Sequence, residues 1–392
     1  MSGAAPVPVL ARVERARIAS HWVTDAVVEL SASGMRLVEG GGAERGGAQG
    51  ATPEPRSRER NVGLAPEPSA RVRATIGGVL LPPITDAHVH LGLTDAARRE
   101  PCALGRVLDL GWDPTALPGV AAAARAAHRG LDVRVAGPFH TAVGGYPSRR
   151  AWAPAGSVVE LADPEAAARA VRALTAPDAG GAPDALTASA VKVVLNSDDG
   201  PTLDDAALGT LVEAARAVSL PVVAHVQGAG QAERAIDAGV AVLAHAPWTE
   251  HLPDELIARA AAAQTWISTL AMHSRDRDEL AFARAIDNLA RFAAAGGAVA
   301  YGTDLGNGTS RLDLDQSELA ALRQAGIEGT ALVDALLAEH LLPAGPTIGV
   351  LGAAVEHADG RIDGEVVDDE TLLSQLHRVR ALPWTWFAQE DA

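Results

Sequence analysis

SAVKVVLNSDDGPTLDDAALGTLVEAARAVSLPVVAHVQG, residues 189–228, contains one full repeat of the pattern that organises this chain. A β-branched run, SAVKVVL (189–195), leads through a polar turn into the alanine-rich stretch LDDAALGTLVEAARAV. A second β-branched run, PVVAHV (221–226), follows. Two short apolar runs separated by a helical pattern read as a βαβ unit, whose strands are parallel. Similar runs are ITDAHVH (84–90), RVLDL (106–110), DVRVAG (132–137), AVLAHA (241–246), TWISTL (265–270) and AVAYGT (298–303). Helical stretches such as PGVAAAARAAHRG, DPEAAARAVRALTA, AGQAERAIDAG, PDELIARAAAA and DELAFARAIDNLARFAAAG lie between most of them. Eight strands alternating with helices predict an α/β fold, a (β/α)8 TIM barrel, over residues 81–342.

The flanks differ. Residues 1–35 offer one clear strand, AVVELSAS, and Glu39–Ala70 is a Gly/Pro-rich, charged stretch that reads as a loop. Within 343–392, AAVEHADGRIDGEVVDD is turn-rich and LLSQLHRVRAL reads as helical. Residues 1–80 and 343–392 are expected to pair as a small, mainly-β satellite domain beside the barrel.

A net charge of −16 argues against nucleic acid and anionic membrane surfaces as partners. Cys102 is the single cysteine, so no internal disulfide forms and a reducing compartment is expected. No apolar run reaches transmembrane length, and the N-terminus lacks a signal-peptide pattern. The expectation is a cytoplasmic enzyme with a small-molecule substrate, and homo-oligomerisation through outer helices is left open.

Of the 33 basic residues, 32 are arginine and one is Lys192. A buried ammonium is costly, because desolvation penalises its charged form. A drifted or snorkelling residue is the plain explanation. The alternative is that the position needs an amine that can be deprotonated and modified, which a guanidinium cannot be. Barrel active sites lie at the C-terminal ends of strands. Those ends carry His88 and His90 on the first strand, Lys192 on the fourth, His225 on the fifth and His245 on the sixth, with Asp304 just after the eighth. A strand histidine by itself is more often a hydrogen-bonded structural residue, and Gly-Thr-Asp is often only a turn or a cap. Six such groups at one barrel mouth are harder to ascribe to coincidence. Four imidazoles and a carboxylate suit zinc or a similar divalent ion. Carbon dioxide captured by the Lys192 amine would give a carbamate whose two oxygens each bind one metal. The expected cofactors are therefore two divalent ions, zinc first, with manganese, iron(II) or cobalt(II) as alternatives, and N-carboxylation of Lys192.

With these residues in place, the stretch of roughly residues 70–340 resembles the metal-dependent amidohydrolase superfamily, in particular its carboxylated-lysine, binuclear, prolidase-like and imidazolonepropionase-like members. ITDAHVHLGL is similar to that group's His-x-His signature, AVKVVLN to its lysine strand, VVAHVQG and VLAHAPW to its later histidine strands, and AYGTDLGNG to its aspartate. The resemblance implies that His88, His90 and Asp304 hold the more buried metal, His225 and His245 the more exposed one, and Lys192 bridges them. It also implies a hydroxide held by both metals, with Asp304 as catalytic proton carrier, attacking an amide, cyclic amide or dipeptide-like C–N bond. A lactone, carboxylic ester or phosphotriester would need the same ligands. A non-catalytic metal-binding barrel with a regulatory role is the third reading.

The substrate shell departs from the group. GPFHTAVGGYPSRRAW (137–152) replaces a glycine-histidine pair, Val226–Gln227 follows His225, and Ala-Pro-Trp follows His245. The strand that often closes the group's small domain is not evident in the tail. His140, Tyr146, Arg149 and Arg150, after the third strand, and His273, after the seventh, are the candidates to bind a substrate carboxylate or oxyanion.

Overall fold

Residues 7–39, 43–44, 72, 74–175, 186–307, 311–352 and 368–388 are described in the computed structural model. Most of the Gly/Pro-rich stretch 39–70, and residues 353–367 of the tail, lie outside them. The chain begins with β1 (Val9–Ile18) and β2 (His21–Ser31), paired antiparallel from Val9↔Leu30 to Ile18↔His21. The two linking residues, Ala19 and Ser20, have φ of 48° and 65°. Left-handed backbone at both positions lets a two-residue hairpin follow the strand twist. β3 (Gly34–Glu39) and β4 (Ala43–Glu44) pair with β2, and β5 (Ala74–Leu81) lies parallel to β1. The sequence reading found only one strand before residue 35. β1 escaped it because Arg15 and Arg17 occupy buried positions and blur the apolar alternation.

The parallel strands come next. β6 (Thr85–Val89), β7 (Arg106–Asp109) and β8 (Asp132–Val135) form a three-stranded sheet. β9 (Phe139–Ala142), β10 (Val158–Leu161), β11 (Val191–Asn196), β12 (Val222–Gln227), β13 (Val242–Leu243), β14 (Thr265–Ile267) and β15 (Ala298–Ala300) form a seven-stranded parallel sheet in the order β10-β9-β11-β12-β13-β14-β15. The three-stranded sheet meets it at both edges. Val89 bridges Leu305 and Val135 bridges Ala188, and the Ser189 amide donates to the Val135 carbonyl at 2.8 Å. β9 and β10 were not anticipated. They are four residues each, interrupted by glycine and proline turns, and add a flap to β11.

Helices α1 (Leu117–Ala127), α2 (Pro164–Leu174), α3 (Asp205–Ala217), α4 (Gln231–Asp237), α5 (Asp254–Ala261), α6 (Ala271–Arg275), α7 (Glu279–Ala294), α8 (Gln316–Gln324) and α9 (Gly329–Leu337) fall between and after these strands. Asp163, Asp204, Asp278 and Asp315 each sit one residue ahead of a helix and accept an amide of its first turn. These caps start α2, α3, α7 and α8 where the alanine-rich runs begin. Ala87, Leu108, Ala136, Ala190, Val223, Val242, Ile267 and Ala300 pack into one inner cluster, one from each successive parallel run. Small and β-branched side chains fit there because strands from all sides converge on the same space.

The tail returns to the first sheet. β16 (Thr347–Leu351) lies antiparallel to β5, and after α10 (Asp369–Ser374) β17 (Arg380–Pro383) lies antiparallel to β16. The two ends of the chain thus share one sheet, in the order β17-β16-β5-β1-β2-β3. This corrects the reading of the tail, where no closing strand was evident and residues 372–382 were taken as helical. Arg17, fully buried on β1, joins this sheet to the helices. Its Nη2 donates to Asp334 on α9 at 2.6 Å, and its Nε to Asp369 on α10 at 2.8 Å. Trp22 Nε1 also donates to Asp369, at 3.1 Å.

Removing one partner of a buried ion pair leaves the other charge desolvated and unpaired, at a cost of about 3–5 kcal/mol. Arg17→Ala is expected to lower the midpoint of guanidinium unfolding accordingly. An unchanged midpoint would mean that Asp334 and Asp369 do not depend on this clasp.

Candidate metal centre

Pleat alternation explains the lysine among valines. On β11, Val191, Val193 and Leu195 face the main core, whereas Ala190 belongs to the inner cluster and Lys192 and Val194 line a cavity. β12 repeats this: Val222, Ala224 and Val226 face outward, and His225 and Gln227 line the same cavity. A period of two places each chemical residue inside by keeping its neighbours outside. The cavity has a volume of about 430 Å³.

At its floor His88, His90 and Asp304 converge. Asp304 Oδ1 lies 3.2 Å from His88 Nε2 and 3.3 Å from His90 Nε2, and the two Nε2 atoms are 3.3 Å apart. One donor atom from each residue lies within 4.8 Å of the other two, inside the reach of a single ion. His245 lies against His88 with ring centroids 4.6 Å apart, and His225 against His245 at 4.9 Å. Lys192, 1% exposed, lines the same floor.

The outer hydrogen bonds fix which ring nitrogen carries a lone pair. His88 Nδ1 donates to the Ala244 carbonyl at 2.8 Å, and His90 Nδ1 to the Gly111 carbonyl at 3.2 Å, so Nε2 is left facing Asp304. His225 is reversed: its Nε2 donates to Gln227 Oε1 at 3.3 Å, which leaves Nδ1. His245 Nδ1 shares a hydrogen bond of 2.9 Å with Thr269 Oγ1.

Burial enforces neutrality. It holds the His88 and His245 imidazoles well below their ordinary pKa and takes His225 down to about 4, with nearby positive charge adding to the effect. Burial likewise takes the Lys192 ammonium down to about 7, against the pull of Asp304 and Asp109. For Asp304 burial acts upward, but the adjoining imidazoles outweigh it and the carboxyl stays well below its ordinary value. Neutral imidazoles, an ionised carboxylate and an amine that deprotonates near neutrality form a donor set that fits divalent metal.

Three more buried carboxylates hold the loops that carry these donors. Asp86 accepts the amides of His88 and Thr303 at 3.0 and 3.1 Å, joining His88 to the residue before Asp304. Asp109 accepts the amides of Leu91 and Gly111 at 2.8 and 3.1 Å, on either side of the His90 contact. Glu318 on α8 accepts the amides of Leu270 and Ala271 at 3.0 and 2.7 Å, next to Thr269. Thr269 and Asp304 have φ of 47° and 54°. For a β-branched threonine this backbone costs about 1–2 kcal/mol and persists only when its surroundings impose it. Gly302 is required between them, because a Cβ there would meet Ile267 and His88.

The substrate candidates divide. Tyr146 and His273 line the cavity. Tyr146 stacks on His225 with centroids 5.8 Å apart, and burial and the charge of Asp304 raise its hydroxyl to about 12. His273 lies 5.0 Å from Trp248, and burial takes it down to about 4. His140 lies outside the cavity lining: β9 places it beside Val193, where its Nδ1 donates to the Lys192 carbonyl at 2.9 Å. Arg149 and Arg150 also lie outside that lining. Both are exposed, and Arg150 is ion-paired to Asp199 over the Tyr146 ring. Phe139 and Trp152 were not foreseen as cavity residues, and Gln227 and Trp248 had been noted only as departures. Their only signal was the density of aromatics near strand ends, which a linear reading cannot distinguish from core.

No protein-family model and no curated protein sequence matches the chain. Solved structures match in fold. A Xaa-Pro dipeptidase with methionine bound in its active site is 15% identical at a TM-score of 0.59, over 95% of this chain and 97% of that one. An ochratoxinase from A. niger is 16% identical at 0.61, over 89% and 90%. Molinate hydrolase is 14% identical at 0.55, over 96% and 94%.

Glu318→Ala removes both acceptors from two buried amides, and each buried donor left unsatisfied costs about 1–3 kcal/mol. The variant is expected to lose roughly 3 kcal/mol or more of stability in urea and to bind metal at least tenfold more weakly. Glu318→Gln keeps one acceptor and is expected to fall between it and the parent protein. Unaltered metal affinity in a folded Glu318→Ala would separate the clamp from the centre.

Proposed function

We propose that this protein is a metal-dependent hydrolase of the amidohydrolase superfamily, carboxylated-lysine type, that cleaves an amide, cyclic amide or dipeptide-like C–N bond. Its centre lies in the mouth of a closed (β/α)8 barrel, a reading supported by the bridges at both edges of the three-stranded sheet. The observation that carries the proposal is the convergence of His88 Nε2, His90 Nε2 and Asp304 Oδ1, with the single lysine of the chain buried beside them. The names of the matched structures, a dipeptidase, an ochratoxinase and a hydrolase, point the same way.

His88, His90 and Asp304 would hold one ion, His225 and His245 a second, and Lys192 would lie between as its carbamate. Two divalent ions bound there would polarise the substrate carbonyl and acidify the attacking water. The chain's own residues do the rest. With its pKa near 7, Lys192 presents a neutral amine whose lone pair attacks carbon dioxide. The N–C bond forms, the nitrogen proton leaves to solvent, and a carbamate anion remains. Asp304 takes the proton of the nucleophile and passes it to the departing amine nitrogen. Asn307 Nδ2 donates to its Oδ2 at 3.0 Å and holds the carboxylate plane. The Tyr146 hydroxyl, whose pKa is pushed up to about 12, stays protonated and would donate to the oxyanion as the carbonyl becomes tetrahedral.

Purified protein is expected to hold two metal equivalents per chain, to lose activity on chelation and to regain it with zinc or manganese. A screen of dipeptides, N-acyl amino acids, cyclic amides and lactones would identify the bond. Lys192→Arg keeps the charge but forms no carbamate, so metal content should fall below two equivalents and kcat/KM by at least about 100-fold. Lys192→Ala should be partly rescued by a small added carboxylate. Labelled carbon dioxide should give a carbamate signal in the parent protein and none in either variant. Full metal content and activity in Lys192→Arg would overturn the carbamate.

A further inference from the structure

Above the donor floor, the cavity wall is aromatic. Trp152 lies 6.1 Å from Tyr146, Tyr146 lies 5.8 Å from His225, and His225 lies 5.6 Å from Trp248, so the rings form one continuous arc. One of these rings already attracts a cation: the Arg150 guanidinium sits 5.5 Å from the Tyr146 centroid. The same lining includes two carboxylates, Asp276 and Asp278, both exposed. Asp278 is committed in part to the first turn of α7. Asp276 has no ion pair among the described residues; the adjacent Arg275 turns away to Asp315. Apart from Lys192 at the floor, no arginine or lysine among the described residues lines the cavity.

We propose that this cavity selects a substrate bearing an organic ammonium group, held against the Trp248 ring with Asp276, three residues after the His273 that packs on that ring, as its counter-charge. The inference rests on the hydrolase reading for the place of the reacting bond, and adds to it the charge class of the substrate. The rings attract a cation through their negative faces, and more strongly once water is displaced. A carboxylate at the same level would meet Asp276 and Asp278, and the nearest guanidinium, Arg150, is already paired with Asp199. The net charge of −16 works in the same direction by concentrating cations near the mouth. Two divalent ions bound at the floor would be offset in part by Asp304 and a Lys192 carbamate, both deeply buried, whereas Asp276 and Asp278 are exposed.

The test compares two probes of one shape that differ in charge, choline and 3,3-dimethyl-1-butanol, titrated calorimetrically into the metal-loaded protein. Choline is expected to bind at least tenfold more tightly. Trp248→Leu and Asp276→Asn should each remove most of that ratio. Equal affinities, or tighter binding of the neutral alcohol, would overturn the proposal. A kinetic arm uses arylamides of one amino acid with a free or an acetylated α-amino group, and the free amine should show the higher kcat/KM through a lower KM. A preference for anionic N-succinyl arylamides that disappears in Arg150→Gln would also overturn it, making Arg150 a carboxylate anchor. Selective choline binding without turnover of any amide would instead remove the hydrolase reading and leave the cation site standing.

Discussion

Desolvation of the cavity floor is the constraint that the rest of the site answers to. Three imidazoles, an amine and a carboxylate are taken out of water at one place, with the half-buried His225 beside them. Isolated charges could not be kept there. Burial keeps His88, His225 and His245 neutral, and the carbonyls of Ala244 and Gly111 and the Gln227 amide fix which nitrogen of His88, His90 and His225 is free. The amine responds by approaching neutrality near pH 7. Asp304 is held well below its ordinary pKa even though its burial acts the other way.

The supporting shell solves the same problem with backbone amides. Asp86, Asp109 and Glu318 are buried carboxylates, and each receives two of them. Apart from the His88 amide, which lies within β6, these amides lie past the end of a strand. The hydrogen bonds therefore serve two ends: they satisfy a buried polar group and they hold strained backbone at Thr269 and next to Asp304. The small sheet is tied on by the same principle, with the buried Arg17 guanidinium between carboxylates of two helices.

Charge and polarity change with depth in the cavity. Donors with free lone pairs occupy the floor, rings form the wall, and carboxylates lie at the rim. Sequence spacing gives the floor, because each donor sits at the end of its own βα repeat. It gives little of the wall, whose rings come from the β9–β10 flap and from the turn after β13, segments with no periodic pattern. His140 and Phe139 illustrate the difference. One residue from Phe139, His140 looks equally placed to reach substrate, but strand alternation turns it toward the Lys192 carbonyl and leaves Phe139 at the cavity.

Local sequence determined the repeat of strand and helix, the caps, the inward face of β11 and β12, and the six candidate donors. These depend on short-range periodicity and on residue chemistry, both of which are written along the chain. The tertiary structure decided which of those donors lie within one ion's reach, which ring nitrogen each histidine offers, and that Arg149 and Arg150 stay outside. It also decided which strands the two ends of the chain bring to their shared sheet, among them β1, whose alternation Arg15 and Arg17 had obscured. The reason is physical: burial, and the partner that makes burial tolerable, come from residues far apart in sequence, as Arg17 with Asp369 and His88 with Asp304 both demonstrate.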